Sequence, residues 1–189
     1  MQMEAEHQAK GNFARMRKTV DLEPLVSAFE RIVSLPISKR AKMDRFLEAG
    51  SALSEAVRPY TACKSGCSYC CNIAASITAR EAAIIEKATG RKARNLDGKI
   101  IVEESREQYT GVPCPFLKKG KCSIYEARPL ACRIHFNFSD TSFFCNTEVP
   151  PGQSVVPNFN MDRILLAQAK IFHNEAWADI RDFFPTKAK

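Results

Sequence analysis

A chain of 189 residues is long enough to bury a core without staples, and 45% hydrophobic with 26% charged residues is globular composition that reads against disorder. No run approaches the roughly 20 consecutive apolar residues of a membrane span, and the polar opening MQMEAEHQAKGNF reads against a secretory signal. The formal net charge is +7, and the expected compartment is the cytoplasm, where thiols stay reduced.

Taken in chain order, residues 1–20 read as a loose arm, or as a helix that needs a partner. DLEPLVSAFERIVSL follows, with Leu22, Leu25, Val26, Phe29, Ile32 and Val33 at helical spacing, Asp21 able to cap and Pro24 in the first turn. Pro36 ends that helix. A second runs from about Ser38 with Met43, Phe46, Leu47, Leu53 and Val57 as its apolar stripe, and stops at Pro59. After CKSGCSYCC, the stretch ASITAREAAIIEKATGRK carries a capping box, Thr78 with Glu81. Ile84, Ile85 and Ala88 are expected inward, and Gly90 is a natural helix end. A further helix is expected over 99–109. From Val112 to Pro157 the texture turns to Pro, Gly, Cys and aromatics, within which FLKKGKCSIY predicts a hairpin turning at Lys119-Gly120. Asn160 to about Phe183 reads as one amphipathic helix carrying Ile164, Leu165, Ala169, Phe172, Trp177 and Ile180.

The expected fold is therefore mainly α: a helical scaffold with an irregular cysteine-rich metal-binding layer that contains a short β-hairpin. One domain, 1–189, is expected to comprise N-terminal helices (1–59), a cysteine-cluster region (60–150) and a C-terminal helix (151–189).

Eight cysteines are the strongest signal: Cys63, Cys67, Cys70, Cys71, Cys114, Cys122, Cys132 and Cys145. In a reducing compartment this pattern points to metal binding rather than disulfides, and vicinal Cys70 and Cys71 pair with each other only under strain. On a helix the first four would share one face, at about 0°, 40°, 340° and 80°, yet Cys63 and Cys71 would stand about 12 Å apart along the axis. One tetrahedral zinc needs its sulfurs within about 4 Å of each other. Either Gly66 lets the chain fold back as a knuckle, or the four thiols divide between two metals. The adjacent pair favours division.

In the second set Pro113 and Pro115 stiffen the chain around Cys114, and the hairpin returns Cys122 towards it. Cys132 and His135 have the ligand-like spacing C-x₂-H, against which stands a partly buried histidine bonded to backbone. His7 and His173 are read as having no metal role. Arg128 and Arg133 flank Cys132, and a guanidinium beside thiolates lowers the cost of packing negative sulfurs together. The other basic clusters allow a nucleic-acid footprint, but solvated helix faces and compensation of thiolates explain them better, since eight thiolates would cancel the formal +7. Phe116, Tyr125, Phe136, Phe138, Phe143 and Phe144 are expected as a small core under the metals rather than a base-stacking platform.

CKSGCSYCC, then ITAREAAII, then CPFLKKGKCSIYEARPLACR resembles the CxxCxxCC or YkgJ-like cysteine-cluster family, described as a zinc- or iron-chelating domain. The resemblance covers roughly residues 60–146, and all eight cysteine positions fit the family's hallmark. The first spacing departs from it, C-x₃-C in place of C-x₂-C. Flagellin lysine N-methylase is a related protein in which a similar cysteine set is tied to an iron–sulfur cluster and methyl transfer.

The function expected is a cytoplasmic metal-binding protein holding zinc or iron, the latter including an iron–sulfur cluster, through its eight cysteines. The alternative implied by the relation is an iron-cluster-dependent redox or methyl-transfer enzyme or accessory protein. A zinc-stabilised nucleic-acid or protein interaction module is the third reading. No GxGxxG, P-loop, HExxH or nucleophile elbow is present to support an enzyme independently. Metal ions are the expected partners, with no membrane, nucleic acid disfavoured, and no protein partner indicated.

Overall fold

The computed structural model describes residues 2–64, 66–97, 108–149 and 156–186. It is mainly helical, as the periodicity predicts. Helices α1 (Gln2–Arg17), α2 (Leu22–Ser34) and α3 (Lys39–Val57) open the chain. Asp21 caps α2 by accepting from Glu23, and Ser38 caps α3 by accepting from Ala41. The N-terminal arm is a helix with its partner inside the chain. Ala5, Ala9 and Met16 of α1 are buried, Asn12 donates to the Phe138 carbonyl at 2.7 Å, and the Phe13 and Phe138 rings meet edge to face.

Strand β1 (Ser76–Thr78) leads into α4 (Ala79–Thr89), which begins with the expected Thr78–Glu81 capping box and ends at left-handed Gly90. Its inner face is Ala82 and Ile85 with Ile84 half-buried; Ala88, expected inward, is exposed because it lies in the last turn, past the helix's packing partner. Of the helix expected over 99–109, residues 99–107 lie outside the described residues. The hairpin forms as predicted from β2 (Leu117–Lys118) and β3 (Lys121–Cys122), with Leu117 opposite Cys122. Lys119 and Gly120 both take positive φ, 49° and 73°, as a two-residue turn with the right twist requires. A short helix, α5 (Leu130–Arg133), carries Cys132.

The C-terminal segment departs from the single helix expected. Helix α6 covers Asp162–Phe172 only, and the chain then makes strand β4 (Trp177–Asp179) and a final turn of helix, α7 (Ile180–Phe183). β4 pairs antiparallel with β1, placing Ile77 opposite Ala178, both fully buried. Asp179 starts α7 with a capping box closed by Asp182. A strand partner remote in sequence outweighed local helical spacing. Leu165, expected in the apolar stripe, is 45% exposed, and Leu166 is 60% exposed.

Two apolar clusters result. The larger joins α1, α2, α3 and α6 around Phe29, Met43, Phe46, Leu53 and Phe172, with Phe136 and Phe138 from the cysteine-rich segment. The smaller gathers Ile77, Ile85, Phe116, Ile180, Phe183 and Phe184, with Cys114 and Cys122 against its edge. The aromatics expected to form one small core are therefore shared out: Phe116 goes to the smaller cluster, Phe136 and Phe138 to the larger. Tyr125 and Phe143 are 44% and 42% exposed. At Gly50 a Cβ would lie 2.8 Å from the Leu130 side chain, so the glycine lets α5 sit directly on α3.

Candidate metal centre

CKSGCSYCC is not a regular helix. The chain turns at Gly66, whose φ of 88° suits glycine, with the Cys67 amide donating to the Lys64 carbonyl at 3.1 Å. A 3₁₀ turn, Tyr69–Asn72, then carries Cys70 and Cys71. The chain therefore folds back at Gly66, and the turn brings the first segment onto the second. The Cys114 amide donates to the Cys71 carbonyl at 2.7 Å, and the Leu117 amide to the Cys114 carbonyl at 2.9 Å, which sets the hairpin and Cys122 alongside.

Cys63, Cys67, Cys70, Cys71, Cys114, Cys122 and Cys132 line one cavity of about 520 Å³. Cys145 does not line it, yet Asn137 Nδ2 donates to its sulfur at 3.2 Å, and charge on Cys63, Cys67 or Cys70 would oppose charge on it. All eight thiols are free and half-buried. Among the described residues no group of three or more His, Cys, Asp or Glu side chains stands arranged to hold a metal ion. The thiols share a cavity rather than a finished coordination sphere.

Burial pushes the Cys63, Cys114 and Cys122 thiols up, Cys132 well up, and Cys145 to about 12. Cys70 alone is held down, to about 7, because the Cys71 S–H donates to it and Arg128 lies close. Cys71 is raised in return, as the donor of that bond and by burial. Most of these groups are protonated thiols at neutral pH, the state in which they do not ligate; a soft cation would have to displace their protons.

The residues nonetheless fit a thiophilic metal on a second observation. His135 lines the same cavity, and its Nε2 is buried with no hydrogen-bond partner. Burial lowers its pKa and keeps the imidazole neutral. The reading of a histidine satisfied by backbone does not describe this ring nitrogen. His7 on α1 and His173 at the end of α6 are absent from the cavity wall.

The two arginines behave differently from one another. Arg128 lines the cavity, stacks on Tyr125 with 3.6 Å from its guanidinium carbon to the ring centroid, and lowers the cost of charge on Cys70, Cys122 and Cys132. Arg133 is buried and donates to the Arg128 and Glu126 carbonyls and to Ser51 Oγ. It fastens α5 to the loop that follows the hairpin, and none of these donations goes to sulfur.

The sequence reading missed Arg181, Asp179 and Asn137. Arg181 donates to the Cys71 carbonyl at 3.1 Å and to the Val112 carbonyl, and pairs at 2.9 Å with fully buried Asp179. This pair clamps the junction of the two cysteine segments from below. Its signal was available in DIRD, residues 179–182, a capping box concealed inside an apparently continuous helix. Asn137 had no local signal; its partners are the Thr141 carbonyl and Cys145.

Residues 62–149, just under half the chain, match the family model CxxCxxCC, described as "Putative zinc- or iron-chelating domain". No curated protein and no solved structure matches the chain.

Proposed function

Residues 62–149 being a CxxCxxCC domain, we propose that the chain is a cytoplasmic metal-binding protein that holds zinc or iron through its eight cysteines. The observation that carries this is the convergence of seven thiols from two distant segments on one cavity, with the eighth bonded to Asn137 beside them. Thiolate is the ligand of choice for zinc and for iron–sulfur centres, and eight donors suffice for two closed four-coordinate sites. Free thiols throughout suit a reducing compartment. Among the described residues no helix is long and apolar enough to cross a membrane. The chain is read as a single domain because the second apolar cluster draws on both the cysteine segments and the C-terminus.

Bound zinc would cross-link the two segments, whereas bound iron would add electron transfer. The chain's own contribution is to gather the thiols, balance their charge with Arg128 and Arg181, and keep them half-buried.

A second reading, a centre that does chemistry, is favoured by the cavity itself. At about 520 Å³ it has the size of a small-molecule site, with Arg58, Lys64 and Lys121 on its wall.

Metal analysis with a visible absorption spectrum, on protein purified without oxygen or added metal, tests the proposal. Colourless protein with zinc is expected for a structural centre. Brown protein with iron and acid-labile sulfide is expected for a cluster. Metal-free protein that binds neither on reconstitution overturns it.

A further inference from the structure

Six of the eight thiols are mounted on two different frames. Cys63 and Cys145 are joined through Asn137: the Ala62 amide donates to its carbonyl at 2.8 Å, and its side chain donates to the Cys145 sulfur at 3.2 Å. Cys63 Sγ in turn lies 3.9 Å from the His135 carbonyl oxygen. Cys71 and Cys114 are joined directly, amide to carbonyl, with Arg181 on the same Cys71 carbonyl, and the hairpin adds Cys122. Arg133 ties α5, and so Cys132, to the loop after that hairpin. Electrostatic coupling divides the same way apart from Cys70: charge on Cys145 is opposed by Cys63 and Cys67, and charge on Cys71 by Cys114 and Cys132. Cys70 has neighbours in both sets.

His135 belongs to the first frame. Helix α5 ends at Arg133, so the C-x₂-H spacing does not put Cys132 and His135 on one helical face. Among the described residues only His135 Nε2 and Glu175 Oε2 are buried side-chain polar atoms without a partner. The other Glu175 oxygen is held by Arg80 at 2.7 Å, which leaves the imidazole as the polar side chain with an unexplained atom in the cavity. Leaving such a nitrogen buried and unpaired is unfavourable, and a bound cation would remove that cost.

We propose that His135 Nε2 is a metal ligand, forming with Cys63, Cys67 and Cys145 one centre, distinct from a second centre built by Cys71, Cys114, Cys122 and Cys132. Cys70 stands where the two meet. The inference rests on the metal-binding reading above. One centre then carries a neutral nitrogen and three thiolates, and the other four thiolates. Around a divalent ion the first has net charge −1 and the second −2, so the two differ in affinity and spectrum.

The test is anaerobic reconstitution of the full chain with cobalt(II) alone, read by metal content and the thiolate-to-cobalt absorption bands. Two ions per wild-type chain are expected. His135→Ala should retain one, with the spectrum of the four-thiolate centre. His135→Cys should hold two and gain absorption from the added thiolate, which a purely structural histidine would not produce. His173→Ala should match wild type. Two ions and an unchanged spectrum in His135→Ala overturn the inference and leave the metal-binding reading standing. Wild type that binds no cobalt through thiolate overturns both. Should His135→Ala fail to fold, X-ray absorption of the wild-type cobalt protein decides: a mixed nitrogen and sulfur shell is expected, and a purely sulfur shell overturns the assignment.

Discussion

In the helical half Phe29, Phe46, Leu53 and Phe172 are sealed from solvent, whereas none of the eight cysteines is fully buried. The first region owes its shape to apolar stripes that find each other, with edge-to-face contacts Phe29–Phe46 and Phe46–Phe172 at its centre. The cysteine layer is built from turns, a two-residue hairpin and 3₁₀ segments, and it rests on both apolar clusters, through Phe136 and Phe138 on the larger and Phe116 on the smaller. Apolar burial sustains the helices and seats the layer through Phe116, Phe136 and Phe138, but the layer's thiols stay half-buried. What would hold the layer's thiols in register is a cation that converts a shared cavity into covalent-like cross-links.

The largest effect should come from removing metal. For thiolate zinc sites the binding free energy, on the order of 10 kcal/mol, is folding free energy. Chelation should therefore strip hydrogen-exchange protection from the amides of Cys71, Cys114 and Cys122 while those of α2 and α3 stay protected. Equal loss in both regions would erase the distinction between them.

Phe46→Ala attacks the other side of the comparison. Removing a fully buried ring that contacts Phe29 and Phe172 should cost about 3–5 kcal/mol in denaturant unfolding. Metal bound per folded chain should not change. A parallel fall in metal content would show that the helical core sets the cysteine geometry.

Glu81 sits on the boundary. One carboxylate oxygen accepts from the Thr78 amide and hydroxyl, and the other from the Leu130 amide at 2.8 Å, so the α4 cap also anchors α5 and Cys132. Glu81→Gln turns an acceptor into a donor facing one of those donors, and should cost about 1–3 kcal/mol. Because α5 carries Cys132, some loss of the second metal should accompany it. Lost stability with full metal content would confine Glu81 to capping.

What was legible in the sequence followed from local chemistry. Asp21, Ser38, Thr78 with Glu81, and Lys119-Gly120 each mark an element through contacts within a few residues, and each element forms where it is marked. The β1–β4 pair is a contact across about a hundred residues, and Trp177 was helical by spacing alone; its indole instead donates to the Phe172 carbonyl. The candidate ligands were legible as residue types. Their mounting was not, because Asn137 and Arg181 reach cysteines far away in the chain.

A smaller effect concerns pH. In the unfolded chain thiols ionise near 9, while in the folded metal-free protein burial holds Cys63, Cys114, Cys122 and Cys132 higher, and Cys145 at about 12. Folding thus favours the protonated form, and that contribution is complete below pH 9 and lost as pH rises towards 12. Urea midpoints of the metal-free protein should fall over that window. The metal-loaded protein, whose thiols are already deprotonated, should not show the same fall.

The smallest effect expected is none. Lys118, Lys119 and Lys121 are exposed at the hairpin tip, and Lys121 also borders the cavity. Lys118→Gln, Lys119→Asn and Lys121→Gln together remove three charges, while asparagine at 119 suits the positive φ of 49° there. If these lysines only solvate the turn, metal content and the charge-transfer spectrum are unchanged. If both fall, the basic hairpin is part of the site, and screening of thiolate charge extends beyond Arg128 and Arg181 to the layer's outer edge. An unchanged result would place that screening in the two arginines, which bond the Tyr125 and Cys71 carbonyls and lower the cost of charge on Cys70 and Cys114.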